Sequence, residues 1–169
     1  MNPSERLMDK HTNIMNDHDQ VKIDGVDRKI IEILIGNARI SYSDLAKEVG
    51  LSRVRVKDRV VALQKKGIIE EFTIQVPARY LGKPLPVFFD IQVAPGYIEE
   101  SAEKISKHND IVIVYQMSGR NSLHTHGFFA DIDEVSEFIN NFLSSINGVK
   151  NIETEFLLRR FKAQRSLMV

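Results

Sequence analysis

Six cations and one anion crowd the stretch from Ser52 to Gly67: Arg53, Arg55, Lys57, Arg59, Lys65 and Lys66 against Asp58, a local balance of +5. Guanidinium and ammonium groups at this density suit phosphate, because each donates charge-assisted hydrogen bonds to an anionic oxygen. The apolar residues of the stretch, Val56, Val60 and Leu63, recur at i, i+4 and i+7 and mark one buried face of a helix. Val54, Lys57, Asp58, Val61 and Lys65 fall on the opposite face, while Arg59 lies nearer the core edge. A helix whose first turn is this positive opposes its own macrodipole, and the same N-terminus welcomes an incoming phosphate. A charge run alone is ordinarily a solvated face. Here it follows a short helix and a tight turn, and that combination points to a helix-turn-helix that reads DNA. The candidate DNA-binding residues are Ser52, Arg53, Val54, Arg55, Lys57, Asp58, Arg59 and Lys65. Val54 is placed to meet a thymine methyl group, and Arg59 either braces the fold or reaches a phosphate.

A second group of polar residues lies far along the chain. Ser118-Gly119-Arg120-Asn121-Ser122 reads as a turn, and His124 and His126 follow it with the two-residue spacing that puts both on one face of a strand. That spacing is compatible with metal ligands. A polar strand surface or an altered ligand pocket is the commoner origin of such a pair, and no metal or cofactor is assigned. His11 and His18, beside Asp17 and Asp19, are read as surface histidines in a mobile arm.

The elements that must position these groups follow from periodicity. Residues 1–23 are polar, mixed in charge and without a clear period, which suits an N-terminal arm. Asp24 can cap a helix running to about Ile35, with Val26, Ile30, Ile33 and Leu34 inward, and Gly36-Asn37 ends it. Ser41 and Asp44 form an S-x-x-D capping box for the next helix, and Ile40 and Leu45 are spaced as a hydrophobic staple. Gly50 stands where that helix must turn left-handed, and Ser52 caps the basic helix. Phe72, Ile74 and Val76 then alternate with polar residues, marking a strand and a wing. Pro77 to Pro86 holds prolines and a glycine and reads as a hinge.

From Val87 the order is strand (Val87 to Val93), helix (Ile98, Ala102 and Ile105), strand (Ile111 to Met117) and strand (Leu123 to Ala130). A helix capped by Asp133, with Val135, Phe138, Ile139, Phe142 and Ile146 inside, and a last strand from Val149 to Phe161 complete the series. This βαββαβ order is the ferredoxin-like motif. The fold class is therefore α+β, with an N-terminal winged helix-turn-helix over 24–76, a hinge over 77–86 and a ferredoxin-like domain over 87–169. Both helices of that motif cover one sheet face, so the other face, with Phe88 and Leu157, expects a partner, most simply a second copy.

Composition narrows the possibilities. The 169 residues carry no net formal charge, but the charge is segregated: Val87 to Leu158 holds four basic residues against eleven acidic ones, and Arg159, Arg160, Lys162 and Arg165 make a basic tail. Such segregation confines DNA affinity to part of the chain. The absence of cysteine excludes disulfides and thiolate metal sites. No apolar run has the length of a membrane span and no hydrophobic signal core opens the sequence, so a cytoplasmic protein with no membrane partner is expected. No nucleophile, phosphate loop or catalytic constellation stands out, so no enzyme activity and no catalytic residue is assigned.

The run VDRKIIEILIGNARISYSDLAKEVGLSRVRVKDRVVALQKKGIIEEFT resembles the leucine-responsive and asparagine-responsive (Lrp/AsnC, or feast/famine) regulators of bacteria and archaea. The resemblance lies in the Asp27 opening, Arg39-Ile40-Ser41, the Gly50-Leu51-Ser52 turn, the V-x-x-R-V-x-x-L helix from Val56 to Leu63, and Gly67-Ile68-Ile69. It extends through the βαββαβ order, which matches the family's effector-binding and oligomerisation domain. The resemblance implies a transcription regulator acting on double-stranded DNA, forming homodimers that assemble into tetramers or octamers, and sensing an amino acid or related small metabolite. By the same resemblance the effector-binding residues are Gly119, Arg120, Asn121, Ser122 and His124. The family loop ordinarily ends in an acid that holds the ligand's amino group. This loop has Arg120 and no acid, which expects weak recognition of neutral amino acids and a preference for an acidic or atypical ligand, or none. An architectural, nucleoid-type DNA-binding protein without an effector is the rival.

Overall fold

A computed structural model describes residues 22–119 and 121–162. Residues 1–21 of the expected N-terminal arm, with His11 and His18, together with Arg120 and the tail beyond Lys162, including Arg165, lie outside the described residues, whereas Ile23, at the end of the expected arm, packs against the core of the first helices. The chain divides into two compact units between Thr73 and Ile74.

The first unit is three helices. α1 (Gly25–Gly36) starts from a full capping box: the Asp24 carboxylate accepts from the Asp27 N–H, and the Asp27 carboxylate accepts from the Asp24 N–H. α2 (Tyr42–Val49) begins as expected at Ser41, whose hydroxyl accepts from the Asp44 N–H at 3.1 Å. The reciprocal half of the expected box is different. The Asp44 carboxylate accepts hydrogen bonds from the Ser41 hydroxyl at 2.7 Å and from the Lys47 ammonium at 2.8 Å instead of from a backbone amide. Gly50, at φ 69° and ψ 31°, closes α2 in the left-handed region, and the Leu51 N–H returns to the Ala46 carbonyl at 3.0 Å. α3 (Arg53–Lys65) is capped by Ser52. Ile30, Leu34, Leu45, Ala46, Val56, Val60 and Leu63 make the shared core, and Ile40, Ile68 and Ile69 pack against it.

The expected strand and wing over Phe72, Ile74 and Val76 are not assigned among the described residues. Residues 70–77 have no regular secondary structure and all three apolar side chains are exposed. Alternation sets which way side chains point, but a regular strand also needs a run of paired residues, and none is assigned to 70–77 among the described residues.

The second unit has the βαββαβ order. A 3₁₀ turn (Ala78–Leu81) leads into β1 (Leu85–Val93), then α4 (Ile98–Ser106), β2 (Ile111–Met117) and β3 (Ser122–Phe129). α5 (Ile132–Glu137) runs on through a π-helical turn (Phe138–Phe142) and a 3₁₀ turn (Leu143–Ser145) to β4 (Val149–Phe156). The sheet order β2-β3-β1-β4 is antiparallel throughout and is that of the ferredoxin-like motif. Val87, Phe89, Ile91, Leu123 and Phe129 point to the helix-covered side and pack with Ile105, Val135, Phe138, Leu143 and Ile146.

Two boundaries differ from the sequence expectation. Asp131, not Asp133, caps α5: its extended backbone lets the carboxylate accept from the Glu134 N–H at 2.9 Å, leaving Asp133 inside the first turn. β4 ends at Phe156 rather than Phe161, because its partner β1 begins at Leu85. The last rung is the Leu157 N–H to the Pro86 carbonyl, and Leu158 is 96% exposed.

Candidate nucleic-acid interface

α3 presents its cations away from the core. Val56, Val60 and Leu63 are buried, whereas Arg53, Val54, Arg55, Lys57, Asp58 and Lys65 are exposed, Val54 by 67%. None of Arg53, Arg55, Lys57 and Lys65 is in an ion pair among the described residues. The first turn of α3 holds no acid, so its free N–H groups and its two arginines present one positive field. Ser52 spends its hydroxyl on the Arg55 N–H at 3.3 Å and acts there as a cap.

Arg59 behaves differently from its neighbours. Its Nη1 lies 2.7 Å from carboxylate oxygens of both Asp24 and Asp27, joining the recognition helix to the start of α1. The two carboxylates hold the guanidinium's pKa above its ordinary value. Asp24 is held below its usual 3.8, first by the Asp27 N–H and then by Arg59. Of the two roles open to Arg59 in the sequence, the geometry supplies the brace. Asp24 was readable in the sequence as a helix cap, but Arg59, 32 residues beyond Asp27, gave no signal as the partner of both acids.

The effector-binding candidates do not converge on one pocket. Gly119 (φ 95°) and Asn121 are exposed in the turn, and the Asn121 carbonyl accepts from the Val93 N–H at 2.8 Å. Ser122 is only 2% exposed within the single chain, and Arg120 lies outside the described residues. His124 sits on the helix-free sheet face beside His126, with ring centroids 4.9 Å apart, and the Phe88 ring lies 4.3 Å from His126. Burial, then the neighbouring His124, pushes the His126 pKa down. Tyr115 and Met117 are exposed beside these rings on β2, and Asp90, Glu153 and Glu155 carry the acid rows of the same face on β1 and β4.

Sequence reasoning missed one anchor. Lys83, in the expected hinge, donates to Glu134 at the start of α5 and lies 3.1 Å from Asp110 before β2. Glu134 is fixed in turn by the Ala130 N–H at 2.5 Å, which with Lys83 pulls its pKa down. A lone lysine between prolines gave no signal, because its two acids are distant in sequence.

Residues 23–64 match the AsnC-type helix-turn-helix domain and residues 86–167 match the Lrp/AsnC ligand binding domain. The HTH-type transcriptional regulator LrpA of Pyrococcus horikoshii is 31% identical over 140 residues, covering 83% of this chain and 99% of the relative. The HTH-type transcriptional regulator Ptr1 of Methanocaldococcus jannaschii is 30% identical over 140 residues, covering 83% and 95%. Among solved structures, AsnC of E. coli superposes with a TM-score of 0.79 at 27% identity, covering 88% of this chain and 99% of that one. A Neisseria meningitidis transcriptional regulator in complex with L-Met shares the fold, with a TM-score of 0.78 at 24% identity over 86% of this chain and 96% of that one.

Proposed function

Since the chain belongs to the Lrp/AsnC family of helix-turn-helix transcriptional regulators, we propose that it binds operator DNA as a homodimer through the outward face of α3. Arg53, Arg55 and Lys57 supply the contacts at the helix start, Lys65 reaches the backbone from the far end, and Val54 meets a base-edge methyl group. The observation that carries this reading is the division of labour among the cations of α3: Arg59 is tied to Asp24 and Asp27, while Arg53, Arg55, Lys57 and Lys65 stand exposed and outside any ion pair among the described residues. Arg and Lys that no acid of their own fold engages are available to phosphate and base edges. The partner being DNA, the protein works in the cytoplasm, and no catalytic role is assigned. No helix among the described residues is long and apolar enough to cross a membrane.

Two copies would meet through the helix-free sheet face, where Phe88, Tyr115 and Met117 stand among polar residues. An isologous pair presents two α3 helices to half-sites about one helical turn, roughly 34 Å, apart or a multiple of it. Tetramers or octamers of such dimers fit the same logic. The effector is a small metabolite held near Gly119 and Asn121. With Ser122 buried and no acid in the loop, an acidic or atypical ligand suits it better than a neutral amino acid. Titration calorimetry against the twenty amino acids tests that part, and tight binding of leucine that Asn121→Ala abolishes would refute it.

The experiment for the main reading is genome-wide mapping of bound sites, followed by affinity for a recovered site and for bulk DNA at one stated salt concentration. A specificity ratio of about 10³ or more supports a sequence-specific regulator. A ratio near one would instead support the architectural, nucleoid-type protein.

A further inference from the structure

We propose that His124 and His126 form a two-imidazole site for a divalent transition-metal ion of the zinc, nickel and copper class. Both side chains stand on the helix-free face of β3, which is paired on both edges, by β1 and by β2. A strand held on both sides is rigid, so the two rings are positioned before any ligand arrives.

The spacing of the rings fits a shared ion. A metal bound to an imidazole nitrogen at about 2.0–2.1 Å lies roughly 3.2 Å from the ring centre, so two rings on one ion have centres about 4.5 Å apart at a right angle and about 5.2 Å apart at the tetrahedral angle. The centroids of His124 and His126 are 4.9 Å apart, between those limits.

The surroundings favour the same chemistry. The Phe88 ring stands 4.3 Å from His126 and 6.1 Å from His124, an apolar wall that limits where the imidazoles can turn. Tyr115 closes the β2 side, 6.4 Å from His126. Asp90 faces His124 in the β1 register and puts negative charge in the neighbouring row, which favours a dication. Imidazole suits zinc, copper and nickel, whereas magnesium and calcium require oxygen ligands. Among the described residues no third histidine or carboxylate joins the pair in ligating geometry. The chain therefore supplies two donors, the other positions belong to water, and binding is in the micromolar range, weaker than in a closed four-ligand site.

The test uses the full chain without an affinity tag. Zn²⁺ titrated calorimetrically should bind in the micromolar range, weaken at least about tenfold in His124→Gln and in His126→Gln, and be unchanged in a His11→Gln/His18→Gln variant. As a check that needs no substitution, Cu²⁺ bound to the wild-type chain should show nitrogen superhyperfine splitting from two imidazoles in its electron paramagnetic resonance spectrum. Absence of Zn²⁺ binding up to about 1 mM, binding that survives in the folded His124→Gln/His126→Gln variant, binding that depends on His11 and His18, or an oxygen-only copper spectrum would each overturn the proposal.

Discussion

Replacing Arg59 by Met separates its bracing role from a role at DNA. Met keeps most of the aliphatic stem and removes the charge, so Asp27, whose side chain is 14% exposed, loses its guanidinium. A hydrogen bond to a charged group contributes about 1.5–3 kcal/mol when buried, and a solvated pair less than about 1. With Arg59 34% exposed, the Arg59–Asp27 contact falls between these, and a loss of about 1–2 kcal/mol is expected. For a unit this small, each kcal/mol lowers Tm by roughly 4–8 °C. The loss should depend on pH with a definite sign. Asp24 is depressed below 3.8, so its contribution is complete above that value and vanishes as pH falls through the lower folded-state value. Because the Asp27 N–H is the larger cause, Arg59→Met should reduce the acid sensitivity of stability without abolishing it. Urea unfolding followed by circular dichroism from pH 7 down to about 2 reads both effects. Unchanged stability at pH 7, or an unchanged acid limb, would refute the brace.

Lys83→Met should free the segment before β1 from Asp110 and Glu134, and tryptic cleavage after Arg79 should quicken several-fold at native conditions, since exposed loops are cut where local structure opens. Gly148→Ala should cost more than about 3 kcal/mol, because a Cβ there would come within 2.4 Å of Tyr97 at a φ of +87°. Gly50→Ala, with open space around it, should cost only about 1–2 kcal/mol for the left-handed backbone; thermal melts of the two variants check the difference. Thr125→Val should stabilise the second unit by about 1 kcal/mol, because the Thr125 hydroxyl is fully buried with no hydrogen-bond partner among the described residues, and denaturant midpoints measure the gain.

The helices were legible because each carries its own punctuation: Asp24, Ser41 and Ser52 at the starts, Gly50 between two of them, and the Val56-Val60-Leu63 stripe. The ferredoxin-like order was legible because β1, β2 and β3 alternate strictly or are rich in β-branched residues. Features that depend on a second segment were not. Residues Phe72 to Val76 have the alternation of a strand, yet no regular secondary structure is assigned to them among the described residues. β4 stops where β1 begins, a limit no local pattern records. Arg59 and Lys83 look like any surface cations until Asp27, Asp110 and Glu134 are placed beside them. The residues proposed to face DNA rest on charge and spacing, and the structure adds that Arg53, Arg55, Lys57 and Lys65 are exposed. The effector loop was readable only by resemblance, and Ser122 proved buried because β3 starts at that residue.

The most direct test of the account is the salt dependence of binding to a mapped operator, compared across the wild type, Arg53→Ala/Arg55→Ala and Arg59→Met. Each phosphate contact contributes about −0.9 to the slope of log Kobs against log salt concentration. The double variant should therefore bind more weakly, with a slope shallower by up to about 1.8 for each bound helix, while Arg59→Met, once shown to be folded, should keep the wild-type slope. An unchanged affinity and slope in the double variant, or a slope flattened as much by Arg59→Met, would contradict the assignment of the outward face of α3 to DNA.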